Sequence, residues 1–77
     1  MATSNLKTTT PAVWILERDA GYWRFERAGE ELGGVDTSAG DLYWAYVGDA
    51  SDGEAELIAF SRSLEEMKCL VEARVRR

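Results

Sequence analysis

Apolar and polar residues alternate along the first two thirds of this chain and then recur at helical spacing near its end. The cleanest alternation is Tyr22-Trp23-Arg24-Phe25-Glu26-Arg27, where Trp23 and Phe25 share one face and Arg24 and Glu26 the other. Before it, Ala12-Val13-Trp14-Ile15-Leu16-Glu17-Arg18 is rich in β-branched and aromatic residues and has the length of a strand. Pro11 suits the approach to an edge strand, where a missing N–H does least harm. Asp19-Ala20-Gly21 is a three-residue hairpin connection.

The stretch Ala28 to Asp41 holds Gly29, Gly33, Gly34 and Gly40 and reads less plainly. A structureless loop of that length is uncommon in a compact domain. The pattern therefore predicts a short strand over residues 31–36, between turns at residues 28–30 and 37–40, with the paired glycines weakening it or marking a bulge. Leu42-Tyr43-Trp44-Ala45-Tyr46-Val47 follows as a strand apolar on both faces. A turn-rich loop over residues 48–53 leads to a last strand, Ala55-Glu56-Leu57-Ile58-Ala59-Phe60.

Ser63-Leu64-Glu65-Glu66 is a capping box, and behind it Leu64, Met67, Leu70, Val71 and Val75 recur as one helical stripe. Arg74, Arg76 and Arg77 sit where cations favour the negative end of the helix dipole. Short connections rule for a meander, because parallel pairing needs crossovers of a dozen or more residues. The expected fold is α+β: a four- or five-stranded antiparallel meander with one C-terminal amphipathic helix packed on one face. Residues 1–10 are polar and are expected to form a flexible tail before a single domain over 11–77.

Composition narrows the chemistry. The 77 residues contain no histidine and one cysteine, so neither imidazole chemistry nor an internal disulfide is available to the chain. Glu65 and Glu66 project about 100° apart on a helix and do not form a ready acid/base pair. Cys69 falls about 140° round the helix from Leu64, off the apolar stripe, as a partly exposed thiol without a histidine or second cysteine beside it. Placing Gly53 as the turn glycine of a calcium loop puts Gly48 and Ala50 at ligand positions that need side-chain oxygens. No glycine-rich phosphate motif occurs. The expectation is a protein that is not an enzyme and needs no cofactor and no metal. The polar opening, the free cysteine and the lack of a long apolar run lead to a cytoplasmic expectation, with no membrane partner.

Charge is where the chain departs from an ordinary small domain. Residues 28–61 hold Glu30, Glu31, Asp36, Asp41, Asp49, Asp52, Glu54 and Glu56 and no lysine or arginine, within an overall charge of −5. Such a surface repels phosphates, so direct nucleic-acid binding is not expected, and it draws basic partners by long-range attraction. On a meander, Asp36 and Asp41 lie at one end of the 42–47 strand and Asp49, Asp52 and Glu54 at the other, about 20 Å apart. Tyr43 and Tyr46 stand between them on opposite faces. One helix covers one face of a sheet, leaving aromatic surface over, and exposed patches with Tyr and Trp mark interfaces. These seven residues are the candidate partner-binding set. Two alternatives stay open: acids that merely populate polar turns, and a homodimer that uses the bare sheet face as its own interface.

The dispersed pattern Gly21-x-Trp23, Gly29, Gly34-Val35, Trp44-x-Tyr46 and Phe60-x-x-Ser63, with the capped helix after it, resembles small bacterial and phage-encoded proteins. Small size, acidity and an α+β plan are similar to anti-CRISPR proteins and other phage inhibitors of host machinery, some of which mimic nucleic-acid charge. The resemblance implies a small inhibitor that presents an acidic patch with aromatic anchors to a basic protein or nucleoprotein surface. It transfers no functional residue.

Overall fold

A computed structural model describes residues 10–50 and 53–76. The chain builds strands β1 (Val13–Glu17), β2 (Tyr22–Arg27), β3 (Glu30–Ala39), β4 (Leu42–Val47) and β5 (Glu56–Ser61), then helix α1 (Leu64–Val75). Neighbouring strands pair antiparallel and the sheet order follows the chain order, so the sheet is a five-stranded meander. The helix packs against β3, β4 and β5 on one face, as the apolar pattern requires. Of the expected flexible tail, residues 1–9 lie outside the described residues.

Tight turns set the registers. A 3₁₀ turn over Arg18–Ala20, closed by Gly21 in the left-handed region, joins β1 to β2. Between β2 and β3 the two central residues, Ala28 (φ 53°) and Gly29 (φ 83°), both take positive φ, the signature of a type I′ hairpin turn whose twist suits the flanking strands. Between β3 and β4, Gly40 opens a two-residue turn at φ 75°, with Ala39 paired to Leu42.

Strand β3 is longer than its pattern predicts, running from residue 30 to residue 39 rather than 31 to 36. The glycines at its middle do not end it: the register is regular from Gly33 to Asp36 against both neighbours, and the bulge against β2 falls at Leu32, directly before Gly33. Each glycine makes room for something arriving from its own side. A β-carbon at Gly33 would stand 2.9 Å from Val71 Cγ1, so the missing side chain lets the helix sit close to the sheet. At Gly34, on the opposite face, a β-carbon would collide with the Tyr22 ring, which covers the bare backbone there. An aromatic laid over a strand glycine restores the cross-strand packing that the glycine forfeits.

The core lies between helix and sheet: Phe25, Val35, Ala45, Met67 and Val71 are buried, with Trp14, Trp23, Leu32, Tyr43, Ile58, Leu64 and Val75 packed around them. The helical stripe is narrower than the sequence pattern predicts. Leu70 is 41% exposed; at 100° per residue it lies roughly 100° from the centre of the Leu64–Met67–Val71–Val75 seam. On the other flank, polar side chains complete the packing. Trp14 Nε1 donates to Glu72 Oε2 at 2.8 Å, and Lys68 Nζ lies 3.7 Å from the Trp23 ring centroid. Both aromatics come from β1 and β2, so this flank adds polar contacts between the helix and the first two strands. The helix start also differs in detail from a simple capping box. Ser63 Oγ accepts from Glu66 N at 3.1 Å, but Glu66 Oε1 takes the Ser61 hydroxyl, and Ser61 Oγ in turn accepts from Ser63 N.

Candidate binding face

Because α1 covers one face, the other face is built wholly from strand residues of the opposite parity. Strand pairing lines up five of them in a single row across the sheet: Glu17, Tyr22, Asp36, Trp44 and Phe60, one from each strand in order. Directly opposed residues on one face hold their β-carbons about 4.5–5.5 Å apart, so each member of the row neighbours the next. A second row runs Ile15, Arg24, Gly34, Tyr46 and Leu57.

The two rows divide the face by chemistry. Toward β5, the Trp44 and Phe60 rings pack in a tilted pair with centroids 4.8 Å and planes 36° apart, and Phe60 is 58% and Leu57 44% exposed. Trp44 Nε1 is buried and has no acceptor among the described residues. Toward β1 and β2 the face is ionic. Arg24, the only cation that the described strands place here, reaches Glu17 at 2.8 Å and Glu26 at 3.4 Å and is thereby spoken for. Asp36 sits between the two halves. Its Oδ1 accepts from Ser38 N at 2.8 Å and from Ser38 Oγ at 2.7 Å, an Asx-type clasp that fixes the carboxylate's direction. No cation pairs with it among the described residues.

Tyr22 donates to Glu31 Oε2 at 3.0 Å, and the same oxygen accepts from Ala50 N at 3.3 Å. Burial first, and the facing Glu31 carboxylate second, push the Tyr22 phenol well above its ordinary range.

The seven candidate residues distribute as follows. Asp36 and Tyr46 are on the open face. Tyr43 is on the other, packed beside the helix core. Asp41 is exposed in the β3–β4 turn, at the same end of β4 as Asp36. Asp49 and Glu54 are at the opposite end of β4, joined by a Glu54 N to Asp49 O bond of 3.1 Å, and Asp52 lies outside the described residues. Glu30 and Glu31, which were not in the candidate set, line one hollow together with Asp49 and Glu54. Trp44, Leu57 and Phe60 were also outside it, although Trp44 is two residues from Tyr46 and therefore on its face. Among the described residues no group of three or more His, Cys, Asp or Glu is arranged to hold a metal ion. No helix there is long and apolar enough to cross a membrane.

No family model matches this chain, and neither the curated proteins nor the solved structures offer a match.

Proposed function

We propose that this protein is a non-enzymatic binding module whose open sheet face docks on a basic protein surface. The observation that carries this reading is the half-and-half face: exposed Phe60 and Leu57 beside a half-buried Trp44, bordered by carboxylates whose only strand-borne cation is already paired. Aromatic side chains at the centre of a patch supply the binding energy, while surrounding charge selects the partner and speeds encounter. The same charge disfavours a second copy as the partner. Two open faces brought together would oppose Glu17, Glu26, Glu31 and Asp36 with one another, in chains that each carry −5. On a partner whose basic surface serves nucleic acid, occupation of that surface makes the module an inhibitor, in keeping with its resemblance to small phage inhibitors.

The test is a capture from bacterial lysate at low and at high salt, with Phe60→Ala and Asp36→Lys beside the wild type. The reading expects a captured protein that is lost in both variants, released by salt and displaced by added nucleic acid. Capture that ignores both substitutions overturns it. A wild-type chain that sediments as a dimer, split by Phe60→Ala, replaces it with the homodimer.

A further inference from the structure

We infer that the Asp36–Trp44–Phe60 row is the seat of one arginine side chain of the partner. This rests on the basic-partner reading above and sharpens it. The row sets an unpaired carboxylate, a half-buried indole and an exposed phenyl side by side on three neighbouring strands. With strands about 4.7–4.9 Å apart, Asp36 and Phe60 stand about 9–10 Å from each other with Trp44 between them. That is a strip on which an extended side chain lies flat, its guanidinium over the Trp44–Phe60 rings with an N–H directed toward Asp36.

Arginine fits this strip better than lysine, for three reasons. The guanidinium is planar and weakly hydrated, so it stacks on an aromatic surface that an ammonium touches only as a point. Phe60 packs its ring against Trp44 at an interplanar angle of 36° and is 58% exposed, which leaves aromatic surface for the guanidinium. Asp36 already gives Oδ1 to Ser38, so its other oxygen is held in place to receive a directed N–H. Among the described residues no cation fills the seat: Arg24 is held by Glu17 and Glu26, and Arg62, just past β5, makes no ion pair with Asp36. The other acids among the described residues lack this combination. Glu31 is engaged by Tyr22 and the Ala50 amide, while Asp41 lies in an exposed turn outside the ring pair.

The experiment titrates the full chain with octa-arginine and with octa-lysine, peptides of equal charge, at low salt, following the indole N–H resonance of Trp44. A stacked cation adds up to about 1 kcal/mol at a partly exposed site, so the wild type should prefer octa-arginine by about fivefold. Phe60→Leu should bring the two affinities together by weakening octa-arginine alone. Asp36→Asn should weaken both peptides and remove the preference. Equal affinities in the wild type, or a preference that survives Phe60→Leu and Asp36→Asn, overturn the arginine seat and leave the basic-partner reading standing. Binding of neither peptide overturns both.

Discussion

Gly33 and Val71 meet so closely that a single β-carbon would not fit between strand and helix: placed on Gly33, it would lie 2.9 Å from Val71 Cγ1 and 2.6 Å from the Tyr46 carbonyl oxygen. The side-chain atom could yield, but the backbone oxygen belongs to the β3–β4 ladder. Gly33→Ala is therefore expected to destabilise the domain by about 1–3 kcal/mol, the usual cost of overpacking. For 77 residues the whole stability is on the order of 4–12 kcal/mol. Urea unfolding of the variant checks it; a midpoint equal to wild type would mean the helix sits further from the sheet.

The Trp14–Glu72 bond holds the far side of the sheet to the helix, and its charge matters less than its geometry. Glu72→Gln keeps an acceptor oxygen in reach of the indole and should cost little. Glu72→Ala leaves a part-buried N–H unanswered, at about 1–3 kcal/mol. Thermal unfolding of the pair should separate them by several degrees.

Ala28 occupies a left-handed backbone position at φ 53° without the freedom of the glycine that follows it. An L side chain there costs roughly 1–2 kcal/mol relative to its preferred regions. Ala28→Gly and Ala28→Asn should both raise the melting temperature, asparagine being well tolerated in type I′ turns. A drop in both would show that the turn has some other form in solution.

Tyr22 links stability to alkaline pH. Its phenol is held neutral by burial and by Glu31, so in the folded state it keeps its proton above the ordinary value of 10.0. Above that pH the unfolded chain releases the proton while the folded one retains it, and stability must fall as pH rises. The contribution is complete below pH 10.0 and declines from there upward. Tyr22→Phe should flatten this decline, whatever it costs at neutral pH through the lost bond to Glu31. Parallel stability curves for wild type and variant from pH 9 to 11 would contradict the assignment.

Legibility followed side-chain periodicity. Trp23 and Phe25 against Arg24 and Glu26 disclose a half-buried strand without further information, and Ser63 before Leu64 discloses a helix start. Gly33 and Gly34 erase that signal, because a residue with no side chain declares no face. What fills them comes from Val71 and Tyr22, far off in the chain, so β3 reads as a fragment of its true length. Leu70 misled in the opposite sense, since apolar character alone does not distinguish the seam of a helix from its shoulder. In the binding face, the parity of Asp36 and Tyr46 is local and could be read; the neighbours of Asp36 could not. Its place beside Trp44 depends on the register set by the β3–β4 turn, and the Trp44–Phe60 contact depends on the β4–β5 connection.

Strand β5 illustrates how an edge can be sticky on its face and still harmless along its rim. Ala45 pairs with Ala59 and Tyr46 with Leu57, so Ile58 is an extra residue that breaks the regular ladder and turns inward to the core. A bulge at that point bends and twists the strand. An incoming strand in regular register finds its hydrogen-bond partners out of step there, beside a segment as apolar as Leu57-Ile58-Ala59-Phe60. The molecule can thus expose Phe60 and Leu57 for recognition without offering its outermost backbone as a template for fibrous growth.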